Sequence, residues 1–74
     1  MNLQKIRKSK KMTQKRLSEL SGIPLRTIQI YEIGQRNIDG AGLDILCALA
    51  LALNVQIPDI LESEELKEAF KKTL

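Results

Sequence analysis

The sequence predicts an all-α protein, a bundle of five helices followed by a helical extension at the C-terminus. Three observations support this fold class. Apolar residues recur at spacings of three and four, glycines and prolines separate short segments of this kind, and only 3% of the residues are aromatic. A chain of 74 residues can form one small domain with an aliphatic core. We expect this domain to span residues 1–61, with residues 62–74 as the extension.

The first predicted helix runs from Met1 to Lys10, and Leu3, Ile6 and Arg7 share one face of it. This face points inward, and a buried charge is tolerated only when it is paired and hydrogen-bonded. Glu32 falls on the inner side of a later helix, so we predict an ion pair between Arg7 and Glu32. The alternative is that the two side chains reach the rim of the fold separately.

The stretch from Thr13 to Gly34 predicts two short helices joined by a tight turn. Thr13 can cap the first of these helices, and Gly22 can end it in the left-handed conformation. Pro24 disfavours continuation, so a second helix is predicted from Leu25 to Ile33.

This second helix has a packing side and an outward side, since successive residues are about 100° apart around its axis. The packing side holds Ile28, Tyr31 and Glu32. The outward side holds Arg26, Gln29, Ile30 and Ile33.

The two-helix stretch resembles the helix-turn-helix of the phage repressor and Cro (Xre) family, whose second helix enters the DNA major groove. The matching positions are Gln14, Leu17, Ser18, Gly22, Ile23, Ile28 and Tyr31. Similarity continues in register from about Leu3 to Leu61, and family members commonly carry a charge pair at the positions of Arg7 and Glu32. The resemblance implies a lambda-repressor-like fold and a sequence-specific regulator of transcription, most simply a repressor, that binds double-stranded DNA.

The outward side of the recognition helix offers three chemistries for reading bases. Arg can bridge guanine O6 and N7, Gln can bridge adenine N6 and N7, and an aliphatic group can contact a thymine methyl. We therefore assign base reading to Arg26, Gln29 and Ile30, with Leu25 as a further candidate that replaces a polar residue common in the phage proteins. The alternative is an idle helix surface with incidental apolar residues.

Contacts to the DNA backbone are expected around the recognition helix. By resemblance, Gln14 contacts the backbone and braces the recognition helix; the alternative is an ordinary exposed polar residue. The other candidates for backbone contact are Lys15, Thr27, Gln35 and Arg36.

After a loop with a turn at Asp39–Gly40, a fourth helix is predicted from Leu43 to Asn54. It is apolar on every side, so we expect it to be covered all round. Cys47 within it is predicted to be a small buried hydrophobic residue rather than a ligand or redox group. A short fifth helix is predicted from Pro58 to Leu61.

The segment from Glu62 to Leu74 places acidic residues first and basic residues last, as the helix dipole prefers. It has an apolar stripe formed by Leu66, Ala69, Phe70 and Leu74. This stripe has three possible fates: packing on the fourth helix, self-association, or fraying. Together with the apolar fourth helix, and with the dimers that are common in the family it resembles, the stripe favours a homodimer formed through the fourth helix and the C-terminal segment.

Charge is distributed unevenly along the chain. Residues 1–36 hold nine Lys or Arg and two acidic residues, whereas residues 37–74 hold three and seven. Such asymmetry favours a partner that is a polyanion, although a solvated lysine-rich surface is the alternative.

The numbers of His and Cys residues exclude several function classes. The chain has no His and one Cys, which leaves no imidazole catalysis, no His-ligated metal and no internal disulfide. We expect no enzymatic activity, no metal and no cofactor. The rival function is a protein-interaction module, such as the antitoxin of a toxin–antitoxin pair.

No signal peptide is recognisable, and the longest apolar run has nine residues, whereas a membrane span needs about 20. We therefore expect a cytoplasmic protein, bacterial or phage-encoded, with no membrane partner.

Overall fold

The computed structural model describes residues 2–73, which form six α-helices and one 3-10 turn and include no β-strand. The helices are α1 (Asn2–Ser9), α2 (Gln14–Ser21), α3 (Leu25–Glu32), α4 (Leu43–Leu53), α5 (Ile57–Ile60) and α6 (Glu64–Thr73), and the 3-10 turn spans Ile38–Gly40. The predicted all-α bundle is thus confirmed. The expectations for Met1 and Leu74 lie outside the described residues.

Local capping chemistry sets the turn between α2 and α3. The Thr13 hydroxyl accepts the backbone N–H of Arg16 at 3.0 Å and caps α2. At the other end Gly22 adopts φ 74°, and its N–H donates to the Ser18 carbonyl at 2.9 Å. A left-handed residue directly after a helix turns the chain sharply, so α3 begins only three residues later.

The core is aliphatic apart from one tyrosine. Every helix except α6 contributes at least one fully buried side chain to it. Its buried hydrophobic members are Leu3, Leu17, Ile23, Ile28, Tyr31, Ile38, Leu46, Leu49, Ala50, Leu53, Ile60 and Leu61. α2 packs against both α3 and α4, while α1 packs against α3 and α5. α3 is therefore held from two sides by helices that are themselves anchored in the core.

The expectation that α4 is covered all round is wrong for the described chain. Its inner side, with Leu49 fully buried, faces α2 and α5, but Leu51 is 82% exposed and Leu43 is 61% exposed. Cys47 is also exposed, which corrects the prediction that it is buried. The physical reason is that no element within residues 2–73 packs on this side of α4.

α6 packs mainly on α5, and Phe70 is the side chain that it places against the core. Leu66 remains 40% exposed. Between α4, α5 and α6 lies an open groove of about 410 Å³, which we call the α4–α6 groove. It is lined by Cys47, Ala50, Leu51, Val55, Gln56, Ile57, Pro58 and Phe70.

Candidate nucleic-acid interface

α3 is oriented by the buried side chains on one of its sides. Ile28 is 0% exposed and Tyr31 is 6% exposed, so one side of the helix packs in the core. Arg26 on the opposite side is exposed, and Gln29 and Ile30 are half-buried. The outward row predicted from helical geometry therefore does face away from the core.

Three separate segments meet at one concavity on this outward side. The start of α2 contributes Gln14, α3 contributes its outward row, and the loop after α3 contributes Gln35. The concavity measures about 390 Å³ and is lined by Gln14, Arg26, Gln29, Ile30, Ile33 and Gln35. Its lining combines four polar side chains with two aliphatic ones, which suits contact with base edges and thymine methyls.

A buried ion pair is linked to this concavity through Gln14, which bonds to its carboxylate. Arg7 Nε donates to Glu32 Oε2 at 2.7 Å, and Arg7 Nη2 donates to Glu32 Oε1 at 3.0 Å. The third guanidinium nitrogen, Nη1, donates to the Met12 carbonyl at 2.7 Å. The two side chains are 9% and 1% exposed, so the pair is shielded from water. It joins α1 to the last turn of α3.

Gln14 is attached to the same carboxylate. Its Nε2 donates to Glu32 Oε1 at 2.9 Å, which links the first turn of α2 to the end of α3. This bond orients the amide and leaves its oxygen and one N–H available at the concavity. Gln14 is thus half-buried and held in place, not a freely moving surface side chain.

The remaining candidates for backbone contact lie in α2, in α3 and in the loop after α3, and Gln35 is the one that lines the concavity. Lys15 is exposed next to Gln14, and Thr27 is half-buried in the first turn of α3. Gln35 and Arg36 are exposed in the loop that follows α3. Leu25, assigned to base reading, is 37% exposed at the start of α3.

Ile33 belongs to this surface, although the base-reading candidates did not include it. It caps α3, is 68% exposed, and lines the concavity beside Ile30. Because Ile33 lies on the outward side of the predicted helix, the sequence could have indicated that it belongs to this surface. The resemblance implied that Gln14 braces this helix, but no signal in the sequence indicated Glu32 as its partner, because the two residues are 18 positions apart and on different helices.

Comparison with known proteins identifies the fold. A family model described as helix-turn-helix matches residues 3–60, which is more than three quarters of the chain. The chain belongs to this helix-turn-helix family. Comparisons with curated proteins and with solved structures gave no match.

Membership confirms the resemblance to phage repressor and Cro-like proteins, and it makes this helix-turn-helix protein a DNA-binding regulator of transcription. The matched region contains α2 and α3 with the turn between them, together with the helices that hold them. Within residues 2–73 no helix combines the length and the apolar character that a membrane crossing requires.

Proposed function

We propose that this helix-turn-helix protein binds a specific double-stranded DNA sequence with α3 in the major groove and represses transcription by occupying that site. The observation that carries the proposal is the concavity to which α2, α3 and the following loop each contribute polar side chains. An α-helix fits the major groove of B-DNA, and the residues on its outward side then meet base edges.

Base reading falls to the outward side of α3. Arg26 is assigned to guanine, Gln29 to adenine, and Ile30 to a thymine methyl, each because of the groups that its side chain can match. Leu25 at the start of the helix offers a second apolar contact and no hydrogen bond.

Backbone contacts fall to the residues around the concavity. Gln14, Thr27 and Gln35 can donate hydrogen bonds to phosphate oxygens, while Lys15 and Arg36 add positive charge. These contacts fix the position of the protein on the duplex and supply most of the salt-dependent affinity, but they do not select a sequence.

We further propose that the α4–α6 groove is the contact surface of a homodimer. Its lining contains no charged residue, so a second copy can approach there without like-charge repulsion. Among residues 2–73 Leu51 is the most exposed large hydrophobic residue, and in a two-fold arrangement it can enter the groove of the second copy.

Sedimentation at tens of micromolar tests the dimer. The parent protein is expected to sediment as a dimer, and Leu51→Lys as a folded monomer, because it places a charge in the apolar contact. Leu20→Lys is the matched control, since Leu20 is 46% exposed on α2, away from the groove. A parent protein that stays monomeric contradicts the dimer.

A protein partner, as in a toxin–antitoxin pair, is the second candidate function, and the same apolar groove favours it. A monomeric parent that forms a stable complex with a protein encoded beside it, with loss of the complex in Leu51→Lys, would support this role over self-association.

Selection of bound sequences from a random duplex pool tests the DNA-binding proposal as a whole. We expect enrichment of one motif with two related half-sites whose centres lie about 34 to 36 Å apart, one helical turn. Enrichment of a single half-site would contradict the dimer but not sequence-specific binding. No enrichment at low salt would contradict sequence-specific binding.

A further inference from the structure

We propose that Asp39 is a positioning residue for DNA binding: it holds the loop that carries Gln35 and Arg36 by bonding to the backbone where α6 begins. The inference rests on the proposed backbone contact of that loop. Asp39 itself is half-buried and has no place in the concavity.

The first end of the loop is fixed by the end of α3. Gly34 adopts φ 82°, and its N–H donates to the Tyr31 carbonyl at 3.2 Å. The next N–H, of Gln35, donates to the Ile30 carbonyl at 3.1 Å. These two bonds form the motif that commonly closes a helix at a left-handed glycine. They determine the direction in which the chain leaves the recognition helix.

The second end of the loop is fixed by Ile38 and Asp39. Ile38 is 1% exposed in the core, and the N–H of Asp39 donates to the Asn37 side chain at 3.0 Å. Both oxygens of the Asp39 carboxylate accept backbone N–H groups, from Glu62 at 2.7 Å and from Ser63 at 3.0 Å. Hydrogen bonds to an ionised acceptor are roughly twice as strong as neutral ones.

The backbone that Asp39 contacts is itself anchored. Leu61 is 1% exposed, and its carbonyl accepts the Asn2 side-chain amide at 2.7 Å. The backbone N–H of Asn2 also donates to the Glu62 carboxylate at 2.8 Å. Asp39 is therefore bonded to a fixed point in the fold and not to a mobile tail.

Arg36 lies between these two fixed ends. Its side chain is exposed, and no hydrogen bond to the described part of the chain engages its guanidinium. The position from which it can reach a phosphate is thus set by the backbone on either side. If the Asp39 bonds are lost, the loop must be ordered when DNA binds, and that ordering reduces affinity.

Positioning and simple electrostatics predict opposite results for Asp39→Asn. The substitution removes a negative charge from a protein that binds a polyanion, so charge alone predicts tighter binding. It also places an amide donor opposite a backbone donor, so positioning predicts weaker binding. Asp59→Asn is the matched control, because Asp59 also accepts one backbone N–H, that of Gln56 at 2.9 Å, but lies in α5.

The experiment measures affinity for a duplex selected by the parent protein. We expect Asp39→Asn to bind about five- to thirtyfold more weakly, the effect of re-ordering roughly one loop residue on binding. Asp59→Asn should bind as tightly as the parent or tighter. Added to Arg36→Ala, Asp39→Asn should cause a smaller loss than it causes alone, because the Arg36 contact is already absent and only that of Gln35 still depends on the loop.

A second variant tests the same bonds from the other side. Ser63→Pro removes one of the two N–H groups that Asp39 accepts, together with the Ser63 hydroxyl that accepts the Leu66 N–H at 3.3 Å, and leaves every charge in place. It should also weaken binding, although Ser63 contacts no proposed DNA surface. In Asp39→Asn, hydrogen exchange of the Glu62 and Ser63 amides should accelerate while the core amides remain protected.

The outcomes separate this inference from the proposed function. Loss of affinity in Arg36→Ala with unchanged affinity in Asp39→Asn and Ser63→Pro would overturn the positioning role and leave DNA binding intact. Losses that add fully in the double variant would overturn it as well. A parent protein that selects no duplex would overturn the proposed function and, with it, this role of Asp39.

Discussion

Replacing Arg7 with methionine should remove about 3 to 5 kcal/mol from the free energy of unfolding, the usual cost of breaking a buried ion pair at one partner. Methionine keeps the aliphatic part of the side chain, so the substitution isolates the charge. It deletes three hydrogen bonds, two to Glu32 and one to the Met12 carbonyl. The Glu32 side chain, 1% exposed, is left without a cation, and the single donor from Gln14 cannot replace one.

A loss of this size is large for so small a domain, whose total stability is expected at about 5 to 15 kcal/mol. Each kcal/mol lowers the melting temperature of a domain of this size by about 4 to 8 °C, so Arg7→Met should melt about 12 to 40 °C lower. Thermal unfolding followed by far-ultraviolet circular dichroism measures the shift. The double variant Arg7→Met/Glu32→Leu should regain most of the loss, because it removes the unpaired charge.

Arg16→Met is the matched control for this prediction. Its ion pair with Glu19 has an N···O distance of 3.9 Å, and the two side chains are 60% and 57% exposed. An exposed pair of this kind contributes at most about 1 kcal/mol. If Arg7→Met melted as the parent does, or no lower than Arg16→Met, the buried pair would not be an important source of stability and the reasoning would be refuted.

Two further predictions concern the proposed interface. Arg26→Ala should lose discrimination at one base pair, by about 1 to 3 kcal/mol, when affinities are compared across duplexes varied at single positions; unchanged sequence preference would show that Arg26 does not read a base. Lys15→Ala should weaken binding to all duplexes alike and reduce the slope of log affinity against log salt by about 1; a change confined to one duplex would contradict a phosphate contact.

The local elements of the fold were predictable from sequence because capping and turn chemistry are local. Thr13, Gly22 and Pro24 each act on the backbone within a few residues, and the structure places α2, the turn and α3 within one residue of the predicted bounds. The exposure of Leu51 and Cys47 was not predictable in the same way. Hydrophobic periodicity indicates which sides of a helix are apolar, but whether another element covers each side depends on the packing of the whole chain.

The candidate site was also predictable in its local features and not in its long-range contacts. Helical geometry alone indicates that Arg26 and Gln29 face outward, although their contact with bases remains a prediction. The bonds of Gln14 to Glu32 and of Asp39 to Ser63 join residues 18 and 24 positions apart. No period or spacing in the sequence encodes such a contact, since it depends on how separate helices are placed.

The side chain proposed to contact the DNA backbone, Gln14, and the one proposed to read a base, Arg26, differ in how well the protein orders them before binding. Glu32 Oε1 accepts from both Arg7 and Gln14, so the core ion pair also orients the Gln14 amide. Gln14 can therefore meet a phosphate with little further loss of side-chain entropy. Arg26 is exposed and must be ordered on binding, a cost that only a well-matched base can offset. We therefore propose that contact with the backbone is favourable on any duplex, that ordering of Arg26 is favourable only on the correct one, and that this difference underlies sequence selection by α3.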